Sequence, residues 1–204
     1  NRASQVKYYW TWKQFAGLLN AAIRAVRDFS AASDIKPRII LHVAQLQFAT
    51  WWMDGVVNKG GVSDFDIVGI SHYSKWSTIK SMGQISQIIS SIRATYGKQV
   101  MIVETAYPWT SGDADTYANL FGKADSISGY PLTTAGQLKY LKDLTQAVIT
   151  GGGTGIMYWE PAWITSSMKD KWGTGSSWDN CTLFDVTGNT LHSMDFMRLS
   201  YKFQ

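Results

Sequence analysis

Four segments of the chain carry apolar residues at intervals of three and four positions. This spacing places the apolar side chains on one stripe of an α-helix and predicts that each segment packs one face against a core. Glycine follows the second, third and fourth segments, where helices commonly end. The predicted helices span residues 12–30, 49–58, 78–96 and 134–149, with a weaker helical pattern at residues 190–200.

Four short and nearly continuous apolar runs alternate with these helices. They predict strands at residues 38–44, 65–71, 99–103 and 154–159. Runs of this kind are typical of a parallel sheet covered on both faces, so the chain is predicted to be a single α/β domain. The loops that follow the third and fourth strands are much longer than the turns that enter them. A functional site is therefore expected at the carboxyl ends of the strands.

Composition and charge exclude several classes of protein. A chain of 204 residues with 45% hydrophobic residues can bury one sizeable core. The net charge is +4, but the lysines and arginines are scattered, so a nucleic-acid partner is not expected. No uninterrupted apolar stretch approaches the length of a membrane span, so none is predicted. The single cysteine, Cys181, cannot form an internal disulfide.

Glutamate occurs at only two positions, Glu104 and Glu160. Each follows directly on a predicted strand, although glutamate is a favoured residue within helices. A carboxylate at the mouth of a parallel sheet suits sugar chemistry, because retaining glycoside hydrolysis uses a carboxylate nucleophile and an oxocarbenium-like transition state. Glu104 is therefore the candidate nucleophile. For Glu160, substrate binding or support of neighbouring groups is favoured over a second catalytic role.

Several of the ten tryptophans fall in the same loops as the two glutamates. Trp109 follows the third strand, Trp159 ends the fourth, and Trp163 and Trp178 lie beyond it. Aromatic rings offer broad apolar faces, and the C–H faces of sugar rings lie flat on such surfaces. The opposing interpretation is that these tryptophans belong to the core and that Glu104 is an exposed strand end without a function.

Two further polar features lie near the predicted strand ends. His42, at the end of the first strand, is more typical of a hydrogen-bonded wall residue than of a catalytic base. In the loop after the third strand, Asp113, Asp115 and Asn119 offer oxygen ligands at a spacing that resembles the start of a calcium loop. The full twelve-residue pattern is missing, so a plain polar loop is favoured over a calcium site.

Three long motifs, at residues 103–110, 155–164 and 178–185, resemble the signature segments of glycoside hydrolase family 53, the arabinogalactan endo-β-1,4-galactanases. Residues 38–42 and 66–73 fit the fifth and sixth strand regions of the same family. The resemblance implies an α/β fold, the (β/α)₈ TIM barrel of clan A glycoside hydrolases, of which only strands five to eight are present. Residues 1–204 would then be the C-terminal half of a single catalytic domain.

The resemblance also implies a mechanism. Glu104 corresponds to the family's nucleophile at the end of strand seven, and Tyr73 to a strand-six tyrosine that hydrogen-bonds it. The family's acid/base glutamate follows an asparagine at the end of strand four, and no Asn-Glu pair occurs here. Since retaining hydrolysis needs both carboxyl groups, we expect the chain alone to have little or no activity. His72 and Ser74 replace residues that are usually aromatic and proline, so the wall of the sugar site is expected to differ there.

The family implies β-1,4-galactan or an arabinogalactan oligosaccharide as substrate and an extracellular, periplasmic or outer-surface location. No cofactor is expected to be required, although some family members bind a structural Ca²⁺ ion in the loop after strand seven. The open edges of a half-barrel should be covered by the missing N-terminal half-barrel or by a second copy. The alternatives are a non-catalytic galactan-binding half-barrel and a clan A hydrolase of another β-linked glycan. The predicted substrate-binding residues are His42, Tyr73, Trp109, Trp159, Glu160, Trp163 and Trp178.

Overall fold

The computed structural model describes residues 11–169, 171 and 173–203. Within these residues, helices and strands alternate in the order that the apolar pattern predicts. The α-helices are α1 (Trp12–Ala31), α2 (Ala49–Met53), α3 (Met82–Tyr96) and α4 (Thr134–Thr150). The strands are β1 (Ile40–Val43), β2 (Ile67–Ser71), β3 (Gln99–Thr105) and β4 (Ile156–Tyr158). Short 3₁₀ turns occupy Leu46–Phe48, Lys123–Asp125, Asp179–Cys181 and His192–Arg198, and a π-helical turn occupies Asp54–Lys59.

Local side-chain hydrogen bonds set the starts of the long helices. Thr11 and Gln14 form a capping box at the start of α1, in which the Thr11 hydroxyl accepts the N–H of Gln14. Helix α3 begins four residues later than predicted, at Met82. Upstream of it, the hydroxyl of Ser77 accepts the N–H of Ile79 at 3.0 Å. This local turn competes with helical hydrogen bonding and delays the helix.

The four strands form one parallel sheet in the order β1-β2-β3-β4. The helices cover one face, on which Val68, Ile70, Val100 and Ile102 are fully buried. Apolar side chains of α3 and α4 share this core with them. Burying an aliphatic side chain of this size stabilises a fold by about 1.5–3 kcal/mol, so the helix-facing side of the sheet holds the domain together.

The opposite face of the sheet is only partly covered by the described residues, which corrects the prediction that both faces are covered. Ile40 on β1 and Met157 on β4 are 39% and 51% exposed, and both strands are edges of the sheet. An edge strand presents unpaired backbone groups in addition to its side chains. The continuous apolar character of the strands therefore reflects a second face that this part of the chain leaves open.

Two predicted helices differ in the structure. The second continues beyond α2 as the π-helical turn, where the Trp12 ring packs so closely on Gly55 that a Cβ atom there would lie 2.2 Å from it. The predicted C-terminal α-helix is instead a 3₁₀ segment, His192–Arg198, which packs its buried Phe196 toward α4. In both places tertiary packing overrides helical propensity. None of the described helices combines the length and apolarity needed to cross a membrane.

Candidate active site

Glu104 lies partly buried near the carboxyl end of β3, beside the end of β2. The register pairs it with Ser71, after an irregularity between Ile70 and Ser71. Its carboxylate oxygen Oε2 accepts hydrogen bonds from the Ser71 hydroxyl at 2.8 Å and from the Tyr73 phenol at 3.2 Å. The N–H of His72 donates to the Glu104 carbonyl at 2.8 Å. Backbone and side chain of Glu104 are thus both fixed by three consecutive residues, the last residue of β2 and the two that follow it.

Tyr73 remains a hydrogen-bond donor to Glu104 at any physiological pH. Burial, followed by the neighbouring Glu104 carboxylate, raises the pKa of the Tyr73 phenol well above its ordinary value. The ring lies edge-on to Trp76, at a centroid distance of 5.2 Å, and to Trp178, at 5.9 Å. Phe121 contacts both of these tryptophans. Two tryptophan rings therefore hold the phenol in place, and Phe121 packs against both of them.

Trp178 and Trp159 play different parts in the structure. Trp178 is only 3% exposed, and its indole N–H donates to the Trp159 carbonyl at 3.2 Å. Its burial favours a supporting role over the predicted contact with sugar. Trp159 is 42% exposed, and its backbone N–H donates to the carbonyl of Thr105 on β3 at 2.9 Å. Trp159 can therefore offer an indole face beside the end of β3.

Glu160 has an unusual backbone conformation. Its φ of 49° makes it the one non-glycine residue with positive φ among the described residues. Such a conformation is costly for a residue with a Cβ and persists where the surrounding structure imposes it, often at functional sites. The side chain is exposed on an open groove of about 430 Å³. Pro161, Ala162, Trp163 and Met168 line the rest of this groove.

His42 belongs to the network around Glu104, although it does not contact it directly. Its side chain is exposed on β1, and Nε2 lies 2.7 Å from the Ser71 hydroxyl oxygen. The parallel sheet thus brings the ends of three consecutive strands together through His42, Ser71 and Glu104. The sequence analysis missed Ser71 as a site residue. Its position as the last residue of an apolar run was the available indication.

The loop after β3 forms a second polar cluster, away from Glu104 in the hydrogen-bond network. Trp109, predicted to bind sugar, donates its indole N–H to the carbonyl of Asp179 at 3.2 Å. Asp113 and Asp115 lie near the Asp179 side chain, and one carboxylate oxygen from each of the three lies within 4.8 Å of the others. Sequence reasoning missed Asp179, because more than 60 residues separate it from the other two.

The cluster has the chemistry of a site for a hard cation. Burial raises the pKa of Asp179, and the nearby carboxylates of Asp113 and Asp115 raise it further. Hydrogen bonds to Asp179 lower the pKa, but the net pKa stays above its ordinary value. The predicted ligand Asn119 donates its amide to Asp179 at 2.7 Å. Its own Oδ1 atom is buried without a hydrogen-bond partner among the described residues. Three carboxylates and one unpaired amide oxygen fit Ca²⁺, which binds oxygen ligands.

Hydrogen bonds hold part of this cluster in place already. Burial raises the pKa of Asp115, but hydrogen bonds from the Thr165 hydroxyl and from the N–H groups of Ser176 and Tyr117 outweigh it, so the pKa lies below its ordinary value. The N–H of Asn119 donates to Asp113 at 3.1 Å. The carboxylates are therefore oriented by the protein.

A glutamate held at the carboxyl edge of a parallel α/β sheet, beside an exposed tryptophan, is the arrangement found in α/β-barrel glycoside hydrolases. The sequence pattern of Glycosyl hydrolase family 53 matches residues 3–197. The chain belongs to that family. This confirms the family predicted from the three motifs.

Relatives and solved structures support the same assignment. The arabinogalactan endo-beta-1,4-galactanase of Cellvibrio japonicus is 40% identical over 193 residues, which are 94% of this chain and 51% of that protein. The endo-beta-1,4-galactanase of Bacillus subtilis is 29% identical over 217 residues, covering 90% of this chain and 49% of that protein. The chain spans about half the length of these curated relatives.

The structural comparison confirms the predicted fold class. The Ignisphaera aggregans GH53 catalytic domain matches with a TM-score of 0.80 and 34% identity, over 94% of this chain and 53% of that chain. A fungal beta-1,4-galactanase structure matches with a TM-score of 0.72 and 25% identity, over 94% and 56%. The four parallel strands are therefore part of the α/β barrel of this family.

Proposed function

We propose that this chain is the part of a retaining endo-β-1,4-galactanase that carries the nucleophile, Glu104. The observation that supports the role of Glu104 most directly is its carboxylate, held at the strand ends by Ser71 and Tyr73. Membership of family 53 and the names of the relatives support the reaction and the substrate. The proposed substrate is β-1,4-galactan or an arabinogalactan oligosaccharide, which would be met outside the cell or at its surface.

The proposed reaction begins when a Glu104 oxygen forms a bond to the anomeric carbon of the sugar. The bond from that carbon to the leaving oxygen breaks at the same time, and the leaving oxygen takes a proton from a carboxylic acid. Retaining hydrolysis places the two carboxyl groups about 5–5.5 Å apart. We propose that this acid is supplied by the other half of the barrel, so the chain alone would have little or no activity.

The proposed sugar-binding surface extends from the end of β3 to the groove beyond β4. The exposed indole of Trp159 would stack on one sugar ring, and Trp163 would line the groove for another. Glu160, exposed in the same groove, would accept hydrogen bonds from sugar hydroxyls. Its exposed position supports binding over acid catalysis, because a catalytic acid that stays protonated near neutral pH is usually shielded from water.

The partner proposed for the open sheet is the N-terminal half of the same barrel. Edge strands β1 and β4 leave Ile40 and Met157 exposed, and the matched relatives are about twice as long as this chain. We expect size-exclusion chromatography of the chain alone to show aggregates or oligomers. A second copy covering the edges would appear as a discrete dimer, and a stable monomer would contradict the proposal.

A structural Ca²⁺ ion is proposed in the loop after β3. Asp113, Asp115, Asp179 and the amide oxygen of Asn119 would hold it. When bound, the ion would supply positive charge that offsets the repulsion among the carboxylates. The residues themselves tie the loop after β3 to the loop after β4.

The nucleophile is tested in the enzyme that contains this chain. Glu104→Gln should lower turnover of galactan by several orders of magnitude while galactan binding survives. The matched variant Glu160→Gln should raise KM more than it lowers kcat, because it removes a binding contact. Unchanged turnover in Glu104→Gln would reject the assignment. Binding without reaction in the unmutated enzyme would favour a galactan-binding module, and a polysaccharide panel would reveal another β-linked substrate.

A further inference from the structure

The ends of three neighbouring strands form a chain of hydrogen bonds that ends on the proposed nucleophile. The Nε2 atom of His42 lies 2.7 Å from the hydroxyl oxygen of Ser71. The hydroxyl of Ser71 donates to Oε2 of Glu104 at 2.8 Å. Ser71 is 4% exposed, so water has little access to the middle of this chain.

Counting protons fixes the direction of both hydrogen bonds. A serine hydroxyl has one proton to donate, and an ionised carboxylate can only accept. Since Ser71 uses its proton on Glu104, its oxygen can only accept from His42. His42 must therefore carry a proton on Nε2, and in the neutral ring Nδ1 is then left as an acceptor.

The same geometry distinguishes the two oxygens of Glu104. Oε2 accepts from both Ser71 and Tyr73. No hydrogen bond to Oε1 is formed by the residues that the structure describes. The lone pairs of Oε1 are thus the less stabilised ones, and they suit bond formation better than those of the twice-bonded Oε2.

We propose that His42 is a positioning residue, which acts through Ser71 to orient Glu104 so that Oε1 attacks the sugar. This rests on the proposed nucleophilic role of Glu104. Oε1 forms the bond to the anomeric carbon, and the bond to the leaving oxygen breaks with its electron pair on that oxygen. The leaving oxygen is protonated by the second carboxylic acid, as in the reaction above. Oε2 keeps its two hydrogen bonds throughout.

The direction of the hydrogen bond between His42 and Ser71 can be measured without an activity assay. In the enzyme that contains this chain, labelled with ¹⁵N-histidine, long-range ¹H–¹⁵N spectra at pH 7 report which ring nitrogen of His42 is protonated. His42→Gln assigns the signal. We expect a proton on Nε2 in the unmutated protein, a mixture of tautomers in Ser71→Ala, and no change in Tyr73→Phe. An unprotonated Nε2 would overturn the proposal, because Ser71 would then donate to His42.

A kinetic comparison tests positioning separately from folding. His42→Ala removes the donor, whereas the side-chain amide of His42→Gln can place a nitrogen donor near the position of Nε2. We expect His42→Ala to lower kcat about 10- to 100-fold with KM changed less than about threefold, and His42→Gln to recover most of the loss. A change in KM alone, or no rescue by glutamine, would overturn positioning. Absence of hydrolysis by the unmutated enzyme would instead refute the proposed function, leaving the tautomer result intact.

Discussion

The rings of Trp178 and Tyr73 pack perpendicular to each other, with centroids 5.9 Å apart. Tyr73 donates its hydrogen bond to Glu104, and Trp178 is buried behind it. A buried ring that contacts the proposed nucleophile through another side chain should affect catalysis without touching sugar. This relationship separates the supporting tryptophan from the exposed one, Trp159.

Trp178→Phe should therefore lower kcat more than it raises KM. The smaller ring loosens the packing against Tyr73 and loses the hydrogen bond to the Trp159 carbonyl. We expect a loss in kcat of about tenfold, equivalent to about 1.4 kcal/mol of transition-state stabilisation. Trp159→Phe is the comparison, and it should act mainly on KM. A Trp178 variant whose defect is confined to KM would show that its ring binds sugar directly.

The buried His72 should make stability depend on pH. It is 1% exposed, and burial lowers its pKa from 6.5 to about 4. Between these values the unfolded chain binds a proton that the folded chain does not, so the free energy of unfolding falls as the pH falls. Lowering the pKa of His72 from 6.5 to about 4 corresponds to a loss of stability of roughly 3 kcal/mol in total. Urea denaturation of the enzyme that contains this chain, at pH values from 7 to 4, measures this loss.

Two variants identify the source of this pH dependence. His72→Phe removes the titrating ring and should flatten the acid side of the stability profile. His192→Gln is the control, because His192 is exposed and its contact with Asp195 is at the surface, where water screens it; this variant should leave the profile nearly unchanged. An equally steep profile in His72→Phe would mean that other groups cause the loss.

Ca²⁺ should raise the stability of the loops after β3 and β4. At a free concentration 100 times the dissociation constant, binding to the folded state alone adds about 2.7 kcal/mol. Differential scanning calorimetry with CaCl₂ or with a chelator measures the shift in Tm. Asp113→Asn, at an exposed ligand position, should reduce the shift, and Asp28→Asn on the exposed side of α1 should preserve it. If CaCl₂ left the Tm of the unmutated protein unchanged, the proposed cation site would be refuted.

Two glycines in helices should respond in opposite ways to substitution by alanine. A Cβ atom on Gly17 in α1 would meet nothing within 4 Å, so Gly17→Ala should stabilise the protein by about 0.5–1 kcal/mol. A Cβ atom on Gly136 in α4 would lie 1.8 Å from the carbonyl oxygen of Pro131, so Gly136→Ala should destabilise it by about 1–3 kcal/mol. Urea denaturation compares the free energies of unfolding of the two variants. Equal changes would show that helix propensity alone, and not the space around each glycine, determines the effect.

The sequence determined the features that depend on local periodicity. Helical spacing located α1 and α4 to within one or two residues, and continuous apolar runs located all four strands. The end of the run before Glu104 also placed that carboxylate at the mouth of the sheet. Neighbouring residues determine the hydrogen bonding within a helix and the alternation of side chains along a strand. These features can therefore be predicted from the local sequence.

Only the tertiary structure decided which distant residues meet. The register of β2 against β3 brings Ser71 to Glu104, and folding of the last loop brings Asp179 to Asp113. Packing also buries Trp178 and exposes Trp159, although both are tryptophans in the same region of the sequence. These outcomes depend on contacts between segments far apart in the chain. The free energies of such contacts cannot be inferred from the pattern of neighbouring residues.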